Sequence, residues 1–262
     1  MRAIIRGTIL SLMLILGGCA GTPEPAWVHY ATAMRMGDHA MSEANTGLAI
    51  ALYERAVELD RDRPEARIAL ASAFKASGDY EQALNQYDEV LRVWPAHVEA
   101  LRGTGLVFLA LDEPEVAAQY LQRAVNEDPV DFASQIGLGL SLDYQARHQE
   151  AQAVYRQALA LRPSSSGGRI NLAISLALSG QFDAALAALQ PAFSASTAHA
   201  QIALNKALIL GLAGREEEAR TISLPYLSAD EVENNLQQYA WLRTLPDLER
   251  ARAIMQFSLH RR

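Results

Sequence analysis

Apolar positions recur along most of the chain with a period of 34 residues. The phase is marked by Ala49, Ala83, Ala117, Ala151, Ala185 and Ala219. Four residues after these alanines come Tyr53, Tyr87, Leu121, Tyr155 and Leu189, and three residues further on come Ala56, Val90, Ala124, Ala158 and Ala192. Apolar residues spaced three and four apart share one face of a helix, so the pattern predicts amphipathic helices in a repeat architecture.

Small residues hold a second position in the same phase. Twelve residues before each marker alanine stand Gly37, Ala71, Gly105, Gly139, Ala173 and Ala207. Gly78, Gly180 and Gly214 mark a turn between two helices. Two helices of about 13 residues and a tight turn fill the period, and such a pair cannot bury its apolar face alone. The pattern therefore predicts six stacked helix pairs over residues 30–227.

These positions resemble the tetratricopeptide repeat. In that family the small residues lie where the paired helices cross most closely, and the aromatic position packs into the next repeat. The resemblance implies an all-α fold, a superhelical solenoid of about six helix pairs with capping helices after it.

The segment 228–262 has the pattern of two capping helices. Ser228 to Glu231 is a helix start, and it is followed by an apolar stripe at helical spacing, Val232, Leu236, Tyr239 and Leu242. Pro246 opens a final short helix, which carries Leu248, Ile254, Phe257 and Leu259. We expect the first of these helices to cover the open end of the solenoid.

The N-terminus has the layout of a signal peptide. Arg2 and Arg6 precede an uncharged apolar run, and Cys19 is the only cysteine in the chain. Residues 16–19, Leu-Gly-Gly-Cys, resemble a bacterial lipobox, which implies removal of residues 1–18 and attachment of diacylglycerol and an acyl chain such as palmitate to Cys19. Residues 19–29 would then be the lipidated cysteine and its tether. The alternative is an ordinary secreted protein with a chance cysteine near its cleavage site.

The residue after the cysteine bears on localisation. In the enterobacterial sorting rule an aspartate there signals retention in the inner membrane, and this chain has Ala20. The resemblance therefore implies the periplasmic face of the outer membrane. Two acyl chains are sufficient for stable anchoring, so we expect attachment through lipid alone.

The charge of the body narrows the class of partner. Removal of residues 1–18 takes away two arginines and no acid, so the net charge changes from −7 to −9. An acidic surface is repelled by phosphate backbones and by anionic lipid headgroups. Nucleic-acid binding is thus disfavoured, and a protein partner is expected.

The sequence offers no constellation for catalysis. Its six histidines have no metal-ligand spacing, and the single cysteine is assigned to lipid. The stretch SSSGGR at 164–169 faintly resembles a phosphate loop, but no strand precedes it and a turn between repeats is favoured. We predict a protein that is not an enzyme and that binds no metal and no cofactor beyond the covalent lipid.

A solenoid presents an extended concave surface, so binding is the expected function. The resemblance to tetratricopeptide repeats implies that the first helix of each unit lines a groove. In units three to six the groove positions are Leu106, Leu109, Ile136, Leu140, Tyr144, Ile170, Ile174, Leu178, Leu204, Leu208 and Leu212. In the alternative interpretation, several of these residues pack between helices or are covered by the C-terminal helices of the chain.

Three stretches resemble the TadD family of tight-adherence (Flp) pilus assembly lipoproteins. They are residues 171–189, 205–220 and 232–243, the last reading VENNLQQYAWLR. The resemblance implies a pilotin or assembly factor that helps the secretin of a Tad/Flp pilus to localise and multimerise. Two alternatives remain open: another outer-membrane repeat lipoprotein, such as a β-barrel assembly component or protease adaptor, and an enzyme acting on the cell wall. The enzyme would need a catalytic domain outside the repeats.

Overall fold

The computed structural model describes residues 26–195 and 199–259, and every regular element in these ranges is an α-helix. Fourteen helices are described, of which the first twelve form six consecutive pairs. The pairs are α1 (Ala26–Ser42) and α2 (Thr46–Leu59), α3 (Pro64–Ser77) and α4 (Tyr80–Val93), α5 (Val98–Ala110) and α6 (Pro114–Glu127), α7 (Phe132–Tyr144) and α8 (His148–Leu161), α9 (Ser166–Leu178) and α10 (Phe182–Ala195), and α11 (His199–Leu212) and α12 (Glu216–Ser223). The predicted all-α solenoid of six pairs is confirmed.

The repeated small residues lie where helices approach most closely. All six marker alanines are fully buried. A Cβ atom added to Gly139 would lie 2.3 Å from the Tyr155 ring, and one added to Gly37 would lie 2.4 Å from the Tyr53 ring. Atoms cannot approach this closely, so the aromatic residue of the second helix occupies the space that a side chain would need.

The turn inside each pair has one left-handed residue, and these six residues lie 34 positions apart. Three of them are glycines with φ between 75° and 84°, Gly78, Gly180 and Gly214. The other three have φ between 57° and 59° and are Ala44, Asp112 and Ala146. The sequence pattern indicated only the glycine turns, because left-handed geometry is expected of glycine and is uncommon for other residues.

Helix α13 (Ala229–Thr244) continues the stack at its C-terminal end. It begins at the predicted helix start, where Ser228 and Glu231 form a capping box, and it packs against α11 and α12. Gly211 of α11 leaves room for the Tyr239 ring, because a Cβ atom added at position 211 would lie 2.2 Å from that ring. Arg243 donates to the Gly211 carbonyl at 2.8 Å and pairs with Glu216 at 2.7 Å. Helix α13 is therefore fixed to the last repeat by both apolar and polar contacts.

Helix α14 (Asp247–Leu259) does not extend the stack. It contacts α13, α7 and α9, so it turns back along the solenoid instead of adding another layer. Leu245 and Pro246 form the joint, with Leu245 in an extended conformation (φ −77°, ψ 145°). Proline disfavours helical geometry in the residue before it, which explains why α13 ends there.

Candidate protein-binding groove

The concave face of the solenoid is formed by the first helix of each pair. Contacts join α3 to α5, α5 to α7, α7 to α9 and α9 to α11. Second helices of neighbouring pairs in the described ranges make few or no such contacts. The stack is therefore tighter along the first helices, and that side is the inner side of the curve.

The eleven predicted groove residues divide into two sets. Five are partly exposed, namely Leu106, Ile136, Leu140, Leu204 and Leu208. Six are buried with at most 7% of their surface exposed, namely Leu109, Tyr144, Ile170, Ile174, Leu178 and Leu212. The first set leaves apolar surface near α5, α7 and α11, whereas the α9 positions are all covered.

Helix α14 lies against the first helices of two repeat units. It contacts α7 and α9, and it buries Ala251, Ile254 and Met255 to between 0 and 3% exposure. These residues are spaced i, i+3 and i+4 and so share one helix face. They belong to the same apolar cluster as Ile170, Ile174, Leu178 and Tyr144. The contacts of α14 with α7 and α9 agree with the interpretation that a C-terminal helix covers part of the predicted groove.

Arg250 holds the start of α14 against the end of α13. Its Nε donates to the Leu242 carbonyl at 3.1 Å and its Nη2 to the Leu245 carbonyl at 2.8 Å. The same guanidinium pairs with Asp247 at 3.2 Å. The cation lies at the C-terminus of α13, where it interacts favourably with the helix dipole, and it is a second donor to the Leu242 carbonyl, which also accepts from the Leu245 N–H at 3.3 Å.

Arg252 forms the contact of α14 with the third repeat unit. Its Nη1 lies 4.0 Å from Asp112 Oδ2, in the turn between α5 and α6, and both side chains are partly exposed. Its Nε is buried and has no hydrogen-bond partner among the described residues. Burial and the nearby Asp112 carboxylate raise the pKa of Tyr144 to about 12. Asp112 therefore places negative charge at the far end of the covered section.

Leu106, Leu140, Ile174 and Leu208 occupy equivalent predicted groove positions, one in each of units three to six. They do not form a continuous open strip, because Ile174 is only 4% exposed whereas the other three are partly exposed. Ile174 belongs to the same apolar cluster as the buried face of α14, and α14 contacts α9. The amphipathic pattern after Pro246 was visible in the sequence, but the direction in which this helix turns was not.

A buried polar cluster links α7, α8 and α9 beneath this region. His148 Nδ1 donates to Asp143 Oδ1 at 2.8 Å, and Ser175 Oγ donates to the same oxygen at 2.7 Å. Burial raises the pKa of Asp143, although the His148 and Ser175 contacts oppose that effect. Burial and the neighbouring Asp143 carboxylate raise the pKa of Tyr155 well above its ordinary value. No sequence signal indicated this cluster: Asp143 and His148 are five residues apart, but Ser175 lies 32 residues after Asp143 in the next unit.

The cluster has the residue types of a hydrolase triad but not the geometry. The serine hydroxyl donates to the aspartate and does not face the imidazole, whereas a nucleophilic serine must transfer its proton to histidine. Asp143 and Ser175 are fully buried, so a substrate has no access to them. The cluster fastens three helices together.

Two kinds of feature are absent from the described residues. No group of three or more His, Cys, Asp or Glu side chains there is arranged to hold a metal ion. None of the described helices has the length and apolar composition needed to cross a membrane. Cys19, the predicted lipidation site, lies outside the described residues, as do residues 1–18 and most of the predicted tether.

Comparison with protein families agrees with the geometry. One sequence model of the tetratricopeptide repeat matches residues 68–132 and 136–190, and a second matches residues 40–84. Together they cover more than half of the chain. The chain belongs to the tetratricopeptide-repeat family. Members of this family are scaffolds for protein–protein interaction, and no catalytic family is indicated.

Known tetratricopeptide-repeat proteins are similar to this one at the level of fold. The solved structure of pilF from Pseudomonas aeruginosa superposes with a TM-score of 0.66 at 17% identity, over 81% of this chain and 99% of that one. The thermophilic repeat protein TTC0263 of Thermus thermophilus superposes with a TM-score of 0.62 at 22% identity, over 69% of this chain and 98% of that one. At these identities the likeness concerns the fold alone.

Curated sequence relatives match only through their repeats. The TPR repeat-containing thioredoxin TTL4 of Arabidopsis thaliana is 34% identical over 79 residues, which is 30% of this chain and 12% of the relative. The matched segments span between 12 and 23% of the lengths of the three curated relatives. None of their names carries the TadD assignment, so the finer family stays a prediction.

Proposed function

We propose that this tetratricopeptide-repeat protein is a non-enzymatic scaffold that binds a helical segment of a partner protein on its concave face. The observation that carries the proposal is the seating of α14 against α7 and α9. A groove that accepts an amphipathic helix of the same chain has the shape and apolar character needed for a helix of another protein. The partly exposed Leu106, Ile136 and Leu140 supply apolar surface on α5 and α7.

The proposed partner is a secretin subunit of a Tad/Flp pilus, with the chain acting as pilotin or assembly factor. This choice depends on the resemblance of residues 171–189, 205–220 and 232–243 to the TadD family. We further propose that the chain is lipid-anchored through Cys19 at the periplasmic face of the outer membrane. An anchored scaffold that holds secretin subunits near that membrane would raise their local concentration there and favour ring assembly.

The test is made in the native host by deleting the gene and measuring secretin multimers in the outer-membrane fraction. We expect the multimers to fall sharply and to return when the wild-type gene is restored. Flanking genes for a secretin and a pilin would support the same assignment. Unchanged secretin with defective β-barrel insertion or proteolysis would instead favour a scaffold of another outer-membrane system.

A variant in the groove tests whether the function requires this surface or only the presence of the folded protein. Leu140→Glu places a charge on partly exposed apolar surface of α7, so it should weaken complementation at least tenfold if the complex excludes water there. The matched control is Gln157→Glu, which adds the same charge at an exposed position of α8. Full complementation by a folded Leu140→Glu variant would exclude this part of the groove.

A further inference from the structure

Helix α14 has the features of a bound ligand more than those of a structural layer. One face, formed by Ala251, Ile254 and Met255, is buried, whereas Leu248 remains 43% exposed and Glu249 is exposed. The helix lies across the first helices of two units, where partners of solenoids bind. Helix α13, in contrast, is stacked on the end of the solenoid.

The polar contacts that hold the far part of α14 are weak. Arg252 reaches Asp112 at 4.0 Å with both side chains partly exposed, and such pairs contribute little to stability in water. The Arg252 Nε is also buried without a described partner, which costs free energy that a better-fitting helix would not lose.

The joint permits α14 to leave without unstacking α13. Only Leu245 and Pro246 separate the two helices. Helix α13 keeps its own attachments, which are the Ser228 cap, the Tyr239 ring over Gly211, and the Arg243 contacts. Displacement of α14 would therefore expose the surfaces of α7 and α9 that it contacts and leave the six repeats capped by α13.

We infer that α14 is an internal ligand that closes the groove, and that the partner helix binds by displacing it. The occupant we expect is an amphipathic helix of another protein that has the same pattern as α14. In α14 this pattern is a small residue, Ala251, a cation, Arg252, and two apolar residues, Ile254 and Met255. The cation would face Asp112, and the acidic body favours a basic partner. The inference depends on the proposed function in taking the concave face as the binding site.

The experiment uses the full mature chain with Cys19→Ser, which keeps it free of lipid, and a fluorescent peptide of residues 246–259. In the wild-type background the groove is occupied by α14, so the peptide should bind weakly. Ile254→Glu in the protein should release its own helix, because Ile254 is only 1% exposed, and the unmodified peptide should then bind at least tenfold more tightly. Fluorescence anisotropy measures both affinities.

Two controls separate displacement from general damage. Leu248→Glu in the protein adds the same charge to the exposed face of α14, so its affinity for the peptide should equal that of the wild-type background. A peptide carrying Ile254→Glu should bind neither protein. If the Ile254→Glu protein has the helical circular dichroism of the wild type and binds the peptide no more tightly, the inference is wrong.

Hydrogen exchange on the wild-type background gives an independent answer that needs no variant. Backbone amides of α14 should exchange faster than those of α13, because α14 opens while the stack stays folded. Equal protection of the two helices would overturn the inference. The two proposals can fail separately. If the peptide binds the Ile254→Glu protein tightly but deletion of the gene does not change the secretin multimers, this inference stands and only the secretin partner is rejected.

Discussion

At the residue scale, the 34-residue repeat requires the same backbone geometry of residues of different type. Positions 44, 112 and 146 must be left-handed although they are occupied by alanine or aspartate. Position 143 holds a carboxylate that is buried together with an imidazole and two hydroxyl side chains. Both situations cost stability locally, and both give measurable predictions.

The left-handed turns predict opposite effects for two exchanges. Ala44→Gly should stabilise the protein by up to about 1 kcal/mol, because Ala44 is exposed and has φ 57°, where a Cβ atom is strained. Gly180→Ala should destabilise it by about 1 kcal/mol, since Gly180 has φ 77° in the equivalent turn. Thermal unfolding followed by circular dichroism measures both. The same sign for the two variants would contradict the turn assignment.

Asp143 predicts a pH effect whose sign follows from its raised pKa. A carboxyl whose pKa is higher in the folded state stabilises the fold below its unfolded value, near pH 4, and that contribution is lost as the pH rises through the folded value. Asp143→Asn removes this titration and keeps the shape. The melting temperature of the variant minus that of the wild type should therefore increase from pH 4 to pH 7. A constant or falling difference would mean that the His148 contact outweighs burial.

At the element scale, each helix pair is specified by a small residue on one helix and a large one on the next. Gly139 faces Tyr155, and Ala117 and Ala151 are fully buried at the crossings. Close-packed interiors do not tolerate added volume, so these positions determine how near the two helices can lie.

Ala151→Leu tests that packing. The added atoms have no free space, so we expect a loss of about 1 to 3 kcal/mol and a lower melting temperature. The control is Ala153→Leu, two residues further along α8 at an exposed position, which should melt close to the wild type. Equal melting of both variants would show that the crossing is not at Ala151.

At the scale of the whole molecule, the six stacked pairs create a concave face and α14 partly fills it. We propose that the body is attached to a membrane through lipid on Cys19. The proposed binding face and the proposed anchor at Cys19 lie in separate parts of the sequence.

Cys19→Ser is predicted to move the protein from the membrane to the soluble periplasmic fraction. The prediction follows from the proposal that the acyl chains on Cys19 provide the attachment to the membrane. The measurement is fractionation of cells followed by immunoblotting, with circular dichroism of the purified variant to verify folding. Persistence in the outer-membrane fraction would reject the lipobox interpretation.

The sequence by itself determined the architecture. Its period of 34, its small residues and the Ser228 helix start each gave the correct element, because these signals are local and each unit contacts mainly its neighbours. Contacts between distant residues were decided only by the tertiary structure. The contact of Ser175 with Asp143 and the return of α14 to α7 and α9 depend on how the units stack. The left-handed turns at Ala44, Asp112 and Ala146 are local, but no glycine marks them in the sequence. An amphipathic pattern states that a helix must bury one face, but the surface that buries it exists only once the solenoid has formed.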